Sequence, residues 1–286
     1  MIPKRLLGKT GQYLSIIGFG GILVSGVEQS EADAIVREAI DRGINYFDVA
    51  PTYGDAEEHL GPALEEFRRD VFLACKTTER QKEGAAAELH ESLRRLRTDH
   101  FDLYQLHGMT TKEDIEQVFA PGGAIEAFIK AREQGLTRYI GFSAHSVETA
   151  LALMDRFDFD TVLFPLNWVN YFNANFGPQV VAKAKSQNMG ILALKTMART
   201  QWAEGQERTH PKCWYEPVTD PVESELAIRF TLSEPITAAV TPGHVDLFRR
   251  AVEVAENFQL LSEYERAELR RRAENLTPIF QLADAA

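Results

Sequence analysis

Short apolar runs alternate along this chain with longer segments in which apolar residues recur every three or four positions. Eight of the short runs carry little period-two polarity, which is the pattern of parallel strands covered on both faces. They lie at residues 16–19, 44–49, 71–76, 102–106, 139–142, 161–164, 190–194 and 238–241. The longer segments have the spacing of amphipathic helices and lie at residues 30–42, 56–67, 84–97, 125–134, 147–156, 178–187, 221–233 and 245–258.

This eightfold alternation predicts an α/β fold, a closed parallel (β/α)8 TIM barrel. A short N-terminal β-hairpin is predicted at residues 4–15, and a charged C-terminal extra helix at residues 262–272. A doubly wound open sheet is the alternative, but no G-x-G-x-x-G motif follows an early strand. Because such a barrel uses about 250 residues, the sequence predicts a single barrel domain over residues 1–286.

Composition and charge narrow the classes of function. Asp and Glu number 42 against 31 Lys and Arg, a formal charge of −11, which argues against nucleic-acid binding driven by cationic contacts to phosphate. Two cysteines, Cys75 and Cys213, are too few for a disulfide framework and indicate reduced thiols. The chain begins without the apolar core of a signal peptide, and no apolar run approaches the roughly 20 residues of a membrane span. We expect a cytoplasmic monomer or small homo-oligomer without nucleic-acid or membrane partners.

Polar residues follow three consecutive predicted strands, where the chemistry of such barrels is found. Asp48, Lys76 and His107 end these strands, and Tyr53 lies on the loop after Asp48. A phenol with a pKa of about 10 is a weak acid at neutral pH, and a nearby ammonium lowers that pKa. An Asp48 carboxylate would hold the Lys76 amine, and His107 would orient a carbonyl group. The set suits proton donation to a carbonyl oxygen, and reduction would then require a cofactor to supply hydride.

These residues stand in a chain that resembles the aldo-keto reductase superfamily from about residue 5 to residue 257. The resemblance is carried by RLLGKTG at 5–11, IGFGG at 17–21, NYFD at 45–48, YG at 53–54 and EEHLG at 57–61. It implies that the family's catalytic Asp, Tyr, Lys and His fall on Asp48, Tyr53, Lys76 and His107. It also implies NAD(P)H-dependent reduction of a small-molecule aldehyde or ketone to the alcohol, with Tyr53 as proton donor and no metal.

The resemblance also implies cofactor contacts, which match the family pattern less closely. Ser143 agrees with the family's Ser-Asn pair, whereas Ala144 replaces the asparagine and His145 is the candidate substitute donor. Asn167 is the candidate for the family's glutamine, and Lys195 stands where the family has an aromatic residue that stacks on the nicotinamide ring. The complete set of predicted cofactor-binding residues is Gly20, Gly21, Ser143, His145, Asn167, Lys195, Gly243, His244 and Arg249.

The segment VTPGH at 240–244 resembles the family's adenosine-phosphate loop and leads into a predicted helix, whose N-terminus suits an anion. Arg249 aligns with a family arginine near the adenosine 2′-phosphate, and a guanidinium matches phosphate geometry. NADP(H) is therefore expected in preference to NAD(H), although Gly243 replaces a lysine of many NADP-dependent relatives. The alternative is that Arg249 belongs to a solvated charged face.

A polar connection at residues 198–219 is longer than most loops in compact domains, and such loops are usually functional or disordered. We expect it to control access to the substrate. Trp168, Trp202 and Trp214 are candidates for the wall of a substrate pocket, with ordinary packing as the alternative.

Two other functions remain open from the sequence. One is a non-catalytic, cofactor-sensing regulatory subunit on the same fold. The other is an unrelated barrel lyase that uses Lys76 as a Schiff-base amine.

Overall fold

The chain begins with the predicted hairpin, and a computed structural model describes residues 1–282. The last four residues of the predicted barrel domain, 283–286, lie outside the described residues. Strand β1 (Lys4–Leu6) pairs antiparallel with β2 (Tyr13–Ser15). Leu7 and Leu14 of this hairpin are buried in one apolar cluster with residues of the barrel strands. The hairpin therefore covers one end of the barrel interior.

Eight parallel strands close into a barrel, which confirms the predicted fold class. The strands are β3 (Ile17–Gly20), β4 (Tyr46–Asp48), β5 (Phe72–Thr77), β6 (Phe101–Met109), β7 (Thr137–Ala144), β8 (Thr161–Pro165), β9 (Gly190–Leu194) and β12 (Ala238–Val240). Each pairs with the next in chain order, and β12 pairs with both β9 and β3. Parallel strands in a barrel bring all of their C-terminal ends to one rim, so residues that end different strands become neighbours.

Eleven helices are found within residues 1–282. They are α1 (Gln29–Asp41), α2 (Ala56–Leu64), α3 (Lys82–Arg95), α4 (Lys112–Phe119), α5 (Ala124–Glu133), α6 (Val147–Arg156), α7 (Trp168–Ala174), α8 (Pro178–Ser186), α9 (Pro221–Ser233), α10 (Val245–Glu256) and α11 (Glu263–Ala273). The nine predicted helices are present, including the extra C-terminal helix α11. No helix of the described part is long and apolar enough to cross a bilayer.

Two helices, α4 and α7, were not predicted. Thr111 caps α4 because its hydroxyl accepts from Asp114 N–H while the Asp114 carboxylate accepts from Thr111 N–H, a reciprocal pair that satisfies two free amides. In α7, Asn167 Oδ1 accepts from Asn170 N–H at 2.9 Å. Both helices are eight residues or shorter, which leaves little room for a periodic apolar pattern.

The predicted connection at residues 198–219 is partly regular rather than a plain loop. Strand β10 (Ala198–Gln201) pairs antiparallel with β11 (Tyr215–Pro217). We call the segment that they enclose, residues 202–214, the flap. Trp202 Nε1 donates to Cys213 O at 2.9 Å, which ties the two ends of the flap together.

Candidate active site

A cleft of about 350 Å³ opens at the rim where the barrel strands end. All four predicted catalytic residues, Asp48, Tyr53, Lys76 and His107, line it. They come from β4, the loop that follows it, β5 and β6, so the topology brings together residues that are distant in sequence. Within residues 1–282 no group of three or more His, Cys, Asp or Glu side chains is arranged to hold a metal ion.

Asp48 and Lys76 form a buried ion pair at the base of the cleft, with exposed fractions of 2% and 1%. Lys76 Nζ donates to Asp48 Oδ1, and to Val49 O at 3.2 Å. Burial lowers the pKa of Lys76, but the charge of Asp48 and the hydrogen bond to it outweigh burial, so the net shift is upward. The Lys76 side chain is therefore an ammonium at neutral pH.

Two residues that the sequence analysis missed hold the other oxygen of Asp48. Tyr46 Oη donates to Asp48 Oδ2 at 3.2 Å, and Gln105 Nε2 donates to the same oxygen at 3.3 Å. Tyr46 lies two residues before Asp48 on β4, and side chains two apart share one face of a strand. That spacing was a usable signal, whereas the position of Gln105 depends on the register between strands.

Tyr53 stands over the ion pair on the loop between β4 and α2. Lys76 Nζ lies 5.1 Å from the centroid of the Tyr53 ring, and the His107 ring meets it edge-on at 6.0 Å. Burial raises the pKa of the Tyr53 phenol, while the positive charge of Lys76 acts in the opposite direction. The ammonium is thus placed to stabilise a phenolate if Tyr53 gives up its proton.

His107 is a neutral imidazole in this cleft. Burial, and then the charge of Lys76, lower the pKa of His107 to about 3. Its Nδ1 has no hydrogen-bond partner among the described residues. The register of β6 against β7 shifts between Leu106 and Met109, and Gly108 has φ 65°. Such an irregularity re-aims a side chain, and the neutral ring is available to a ligand as a hydrogen-bond partner.

The protonated state of Lys76 argues against the lyase hypothesis. A Schiff base forms only from a free amine, and enzymes obtain one by lowering the pKa of the lysine. Here the pKa of Lys76 is raised, and its Nζ is held by Asp48 and Val49 O. Lys76 is therefore arranged to carry positive charge rather than to attack a carbonyl carbon.

Five of the predicted cofactor-binding residues line the cleft, namely Gly20, Ser143, His145, Lys195 and Gly243. A Cβ atom at Gly20 would lie 2.2 Å from Thr241 O, and one at Gly243 would lie 2.8 Å from Ile22 Cγ2. Glycine is therefore required at position 20, where a Cβ atom would overlap a backbone oxygen, whereas at position 243 the Ile22 side chain would have to shift. His145 stacks on Phe280 at 5.1 Å, and burial followed by the charge of Lys195 lowers its pKa to about 4.

The other four predicted cofactor residues are not among those that line the cleft. Asn167 is buried and caps α7. Gly21 begins a short turn in which a Cβ atom would lie 2.8 Å from Val49 Cβ. His244 Nε2 accepts from Lys212 N–H at 3.1 Å. Each of these three has a structural role in the described protein.

Arg249, the fourth, does not present a free guanidinium. Its Nε and Nη2 donate to the Glu38 carboxylate of α1 at 3.0 and 2.8 Å. These contacts agree with the alternative given by the sequence, in which Arg249 belongs to a solvated charged face. A phosphate group would have to compete with Glu38 for the Arg249 guanidinium.

Of the three tryptophans predicted to wall a substrate pocket, Trp214 is the one that lines this cleft. Trp214 lines the cleft with 45% of its surface exposed. Trp168 does not line it, because it is fully buried in an apolar cluster with Phe230 of α9 and Leu269 of α11. Trp202 does not line it either, because its indole is bound to Cys213 O. The wall instead includes Lys212, which the sequence analysis missed.

The flap is fastened to the rim beside the start of α10. Lys212 Nζ donates to Leu23 O at 3.1 Å, and its backbone N–H donates to His244. His210 Nε2 lies 3.0 Å from Asp246 Oδ2. These contacts hold Lys212 next to Gly243, where a Cβ atom would lie 3.2 Å from Lys212 Cβ.

The fold and site define a (β/α)8 barrel with a buried Asp–Lys pair beneath a tyrosine and a neutral histidine. The family model described as "Aldo/keto reductase family" matches residues 16–266. The chain belongs to this family of oxidoreductases.

Relatives of the chain agree with this assignment. An uncharacterized oxidoreductase of Bacillus subtilis is 28% identical and covers 91% of this chain and 93% of its own length. The L-galactose dehydrogenase of Arabidopsis thaliana is 31% identical over 73% of this chain and 70% of its own length. In fold, the chain is similar to an aldo-keto reductase from Bacillus halodurans in its holo form (TM-score 0.75, 23% identity) and to one from Klebsiella pneumoniae in complex with NADPH (TM-score 0.74, 21% identity), each covering 99% of both chains.

Proposed function

We propose that this protein reduces an aldehyde or ketone to the alcohol with NAD(P)H, and that Tyr53 donates the proton. The observation that carries the proposal is the convergence of Asp48, Tyr53, Lys76 and His107 on one cleft. The buried ammonium, the phenol beside it and the neutral imidazole are the parts that proton donation to a carbonyl oxygen needs.

The cleft has features that fit a nicotinamide dinucleotide. The N-terminus of α10 lies beside Gly243 and Lys212, and it suits phosphate groups. Ser143 and His145 would contact the nicotinamide end. When bound, the cofactor supplies the hydride.

The chain's own residues would then act in fixed roles. Tyr53 gives its proton to the carbonyl oxygen, and the Lys76 ammonium stabilises the resulting phenolate. Asp48 keeps that ammonium in position, aided by Tyr46 and Gln105. His107, neutral because burial lowers its pKa, hydrogen-bonds the substrate oxygen and orients it. The direct test is oxidation of NADPH and NADH, followed optically, against a panel of aldehydes, ketones and sugars.

The same test separates this proposal from a regulatory subunit. Turnover that is lost in Tyr53→Phe supports the reductase. Tight cofactor binding without turnover on any carbonyl would instead support the cofactor-sensing alternative.

We also propose NADP(H) in preference to NAD(H). The NADPH complex of the Klebsiella pneumoniae relative and the position of Arg249 on α10 support this. Because Arg249 must leave Glu38 to meet a 2′-phosphate, we expect a preference near tenfold, the lower end of what a charge-assisted contact provides.

Glu38→Gln is therefore expected to increase the NADPH-to-NADH affinity ratio, and Arg249→Ala to reduce it. Fluorescence titration of both cofactors measures the ratio. Arg271→Ala, which removes an exposed arginine of α11, is the matched control and should leave the ratio unchanged. A ratio that stays the same in Glu38→Gln and Arg249→Ala would show that this pair does not sense the phosphate.

A further prediction concerns the flap as a cover of the cleft. Replacing residues 203–211 with a short Gly-Ser linker should raise the cofactor Kd and the carbonyl KM several-fold, because Lys212 loses its fastened position. Residues 203–209 are exposed, so the melting temperature should change little. Unfolding of the variant with normal residual kinetics would mean that the flap is structural.

We propose a single domain and a cytoplasmic location for the protein, as a monomer or small homo-oligomer without nucleic-acid or membrane partners. The described cysteines, Cys75 and Cys213, are buried and unpaired, which suits a reducing compartment.

A further inference from the structure

Lys195 provides the cleft with a positive charge that no carboxylate neutralises among the residues described, 1–282. It follows β9 with φ 66°, a left-handed conformation that few non-glycine residues adopt and that is enriched at functional positions. Its Nζ lies 5.3 Å from the ring centroid of Trp214 and 5.1 Å from that of Tyr215. Two aromatic rings therefore hold the ammonium through cation–π contacts.

The charges around Lys195 leave it free to meet an anion. Within the described residues, the ionisable groups that act on it are the Cys213 thiol and the Lys76 ammonium. The acidic residue that lines the cleft, Asp48, is already bound to Lys76. The cleft thus carries uncompensated positive charge in a protein whose net charge is −11.

Lys195 lies at the reactive end of the cleft. Its Nζ lies 5.3 Å from the Trp214 ring, which lies 5.6 Å from Phe280, the residue on which His145 stacks. Lys195 lines the same cleft as Tyr53 and His107. Its charge lowers the pKa values of His107 and His145, in each case after burial. Lys212, by contrast, lies beside Gly243 near the start of α10. The two lysines therefore serve different ends of the cleft, and Lys212 is the one placed for cofactor phosphates.

We propose that Lys195 binds the carboxylate of an anionic carbonyl substrate, so that oxo acids and carboxylate-bearing aldehydes are the preferred substrate class. This inference rests on the reductase function proposed above. It also replaces the sequence-based expectation that Lys195 stands in for a ring-stacking aromatic, because an ammonium offers no ring face and is itself held by rings.

The protonation of Lys195 is compatible with this role. Burial lowers its pKa to about 8, so the ammonium form predominates at pH 7. A charge in a partly buried site interacts with a ligand anion more strongly than one in open water.

The test compares 4-carboxybenzaldehyde, an anion at pH 7, with its neutral methyl ester, methyl 4-formylbenzoate, which has the same aromatic aldehyde and one additional methyl group. The wild-type protein should favour the acid in kcat/KM by about 10- to 100-fold, the range of one charge-assisted hydrogen bond. Lys195→Met keeps a long unbranched side chain, one atom shorter than lysine, without the charge and should bring the ratio close to one. Lys195→Arg keeps the charge and should retain most of the preference.

A binding measurement gives a second readout that does not depend on turnover. With saturating NADP⁺ present, benzoate should bind the wild-type protein at least tenfold more tightly than benzamide, and Lys195→Met should bind the two equally. If that variant does not fold, Lys195→Gln is the second variant that lacks the charge, and a wild type without preference in either pair already overturns the inference.

Three outcomes would overturn the inference. The first is a wild-type protein that does not distinguish the charged from the neutral member of either pair. The second is a Lys195→Met variant that keeps the wild-type preference. The third is a Lys195→Met variant whose kcat/KM falls equally on both aldehydes while its affinity for NADPH weakens. That result would assign Lys195 to the cofactor and leave the reductase proposal standing. If the wild type reduces no carbonyl compound of the panel, the reductase proposal fails, and benzoate binding to the wild type and to Lys195→Met then decides on Lys195.

Discussion

Tyr53→Phe is expected to lower the rate of carbonyl reduction by about 10²- to 10⁴-fold, the contribution typical of a positioned acid. The substitution removes only the phenol oxygen. The ring keeps its edge contact with His107 and its place 5.1 Å from Lys76 Nζ. The affinity for cofactor should therefore stay close to that of the wild type. Steady-state kinetics with the best aldehyde of the panel, together with fluorescence titration of NADPH, measure both quantities.

A matched control separates the missing proton from the loss of any tyrosine hydroxyl. Tyr264 on α11 is 83% exposed, so Tyr264→Phe should behave as the wild type in both assays. Reduction by Tyr53→Phe at near the wild-type rate would remove Tyr53 from the mechanism. Loss of cofactor binding in the same variant would point to a structural role for the phenol.

The barrel was predictable because its strands are covered on both faces and so read as apolar runs. The proximity of Asp48, Lys76 and His107 was predictable as well. Each of them ends a predicted strand, and the C-terminal ends of parallel strands in a barrel meet at one rim. The positions of the strands alone were enough for that step.

Contacts between distant elements were not predictable in this way. Arg249 is 211 residues from Glu38, and nothing near either residue indicates their pairing. Trp168 lies on the short helix α7, whose aromatic residues face α9 and α11 rather than the cleft. Lys212 reaches the cleft only because the flap is fastened to Leu23 and His244. These features depend on side-chain contacts that a single sequence does not encode locally.

Separate removal of each member of the Asp48–Lys76 pair is expected to destabilise the protein by about 3–5 kcal/mol, because it leaves a buried charge without its partner. Lys76→Met leaves the Asp48 carboxylate with only Tyr46 and Gln105 as donors. Asp48→Asn leaves the Lys76 ammonium with neutral acceptors, the amide oxygen and Val49 O, and without a negative charge beside it. Urea unfolding of both variants measures the loss.

The double variant Asp48→Asn/Lys76→Met distinguishes a buried charge pair from two independent contacts. With both charges gone, the loss should be smaller than the sum of the two single losses, by a coupling of about 0.5–3 kcal/mol for residues in contact. The exposed pair Lys82–Glu126, joined at 2.7 Å, is the control, and Lys82→Met/Glu126→Gln should show little coupling. Additive losses at Asp48 and Lys76 would contradict the ion pair as the source of their stabilisation.

Activity is expected to follow a different pattern from stability in this set of variants. The double variant recovers stability but still lacks the ammonium beside Tyr53. Lys76→Met and Asp48→Asn/Lys76→Met should therefore both reduce carbonyls as slowly as Tyr53→Phe or more slowly. Carbonyl reduction measured below the unfolding midpoint of each variant keeps the two effects apart. Activity that returns together with stability would mean that Lys76 supports the fold of the cleft and that its charge does not assist the proton donor.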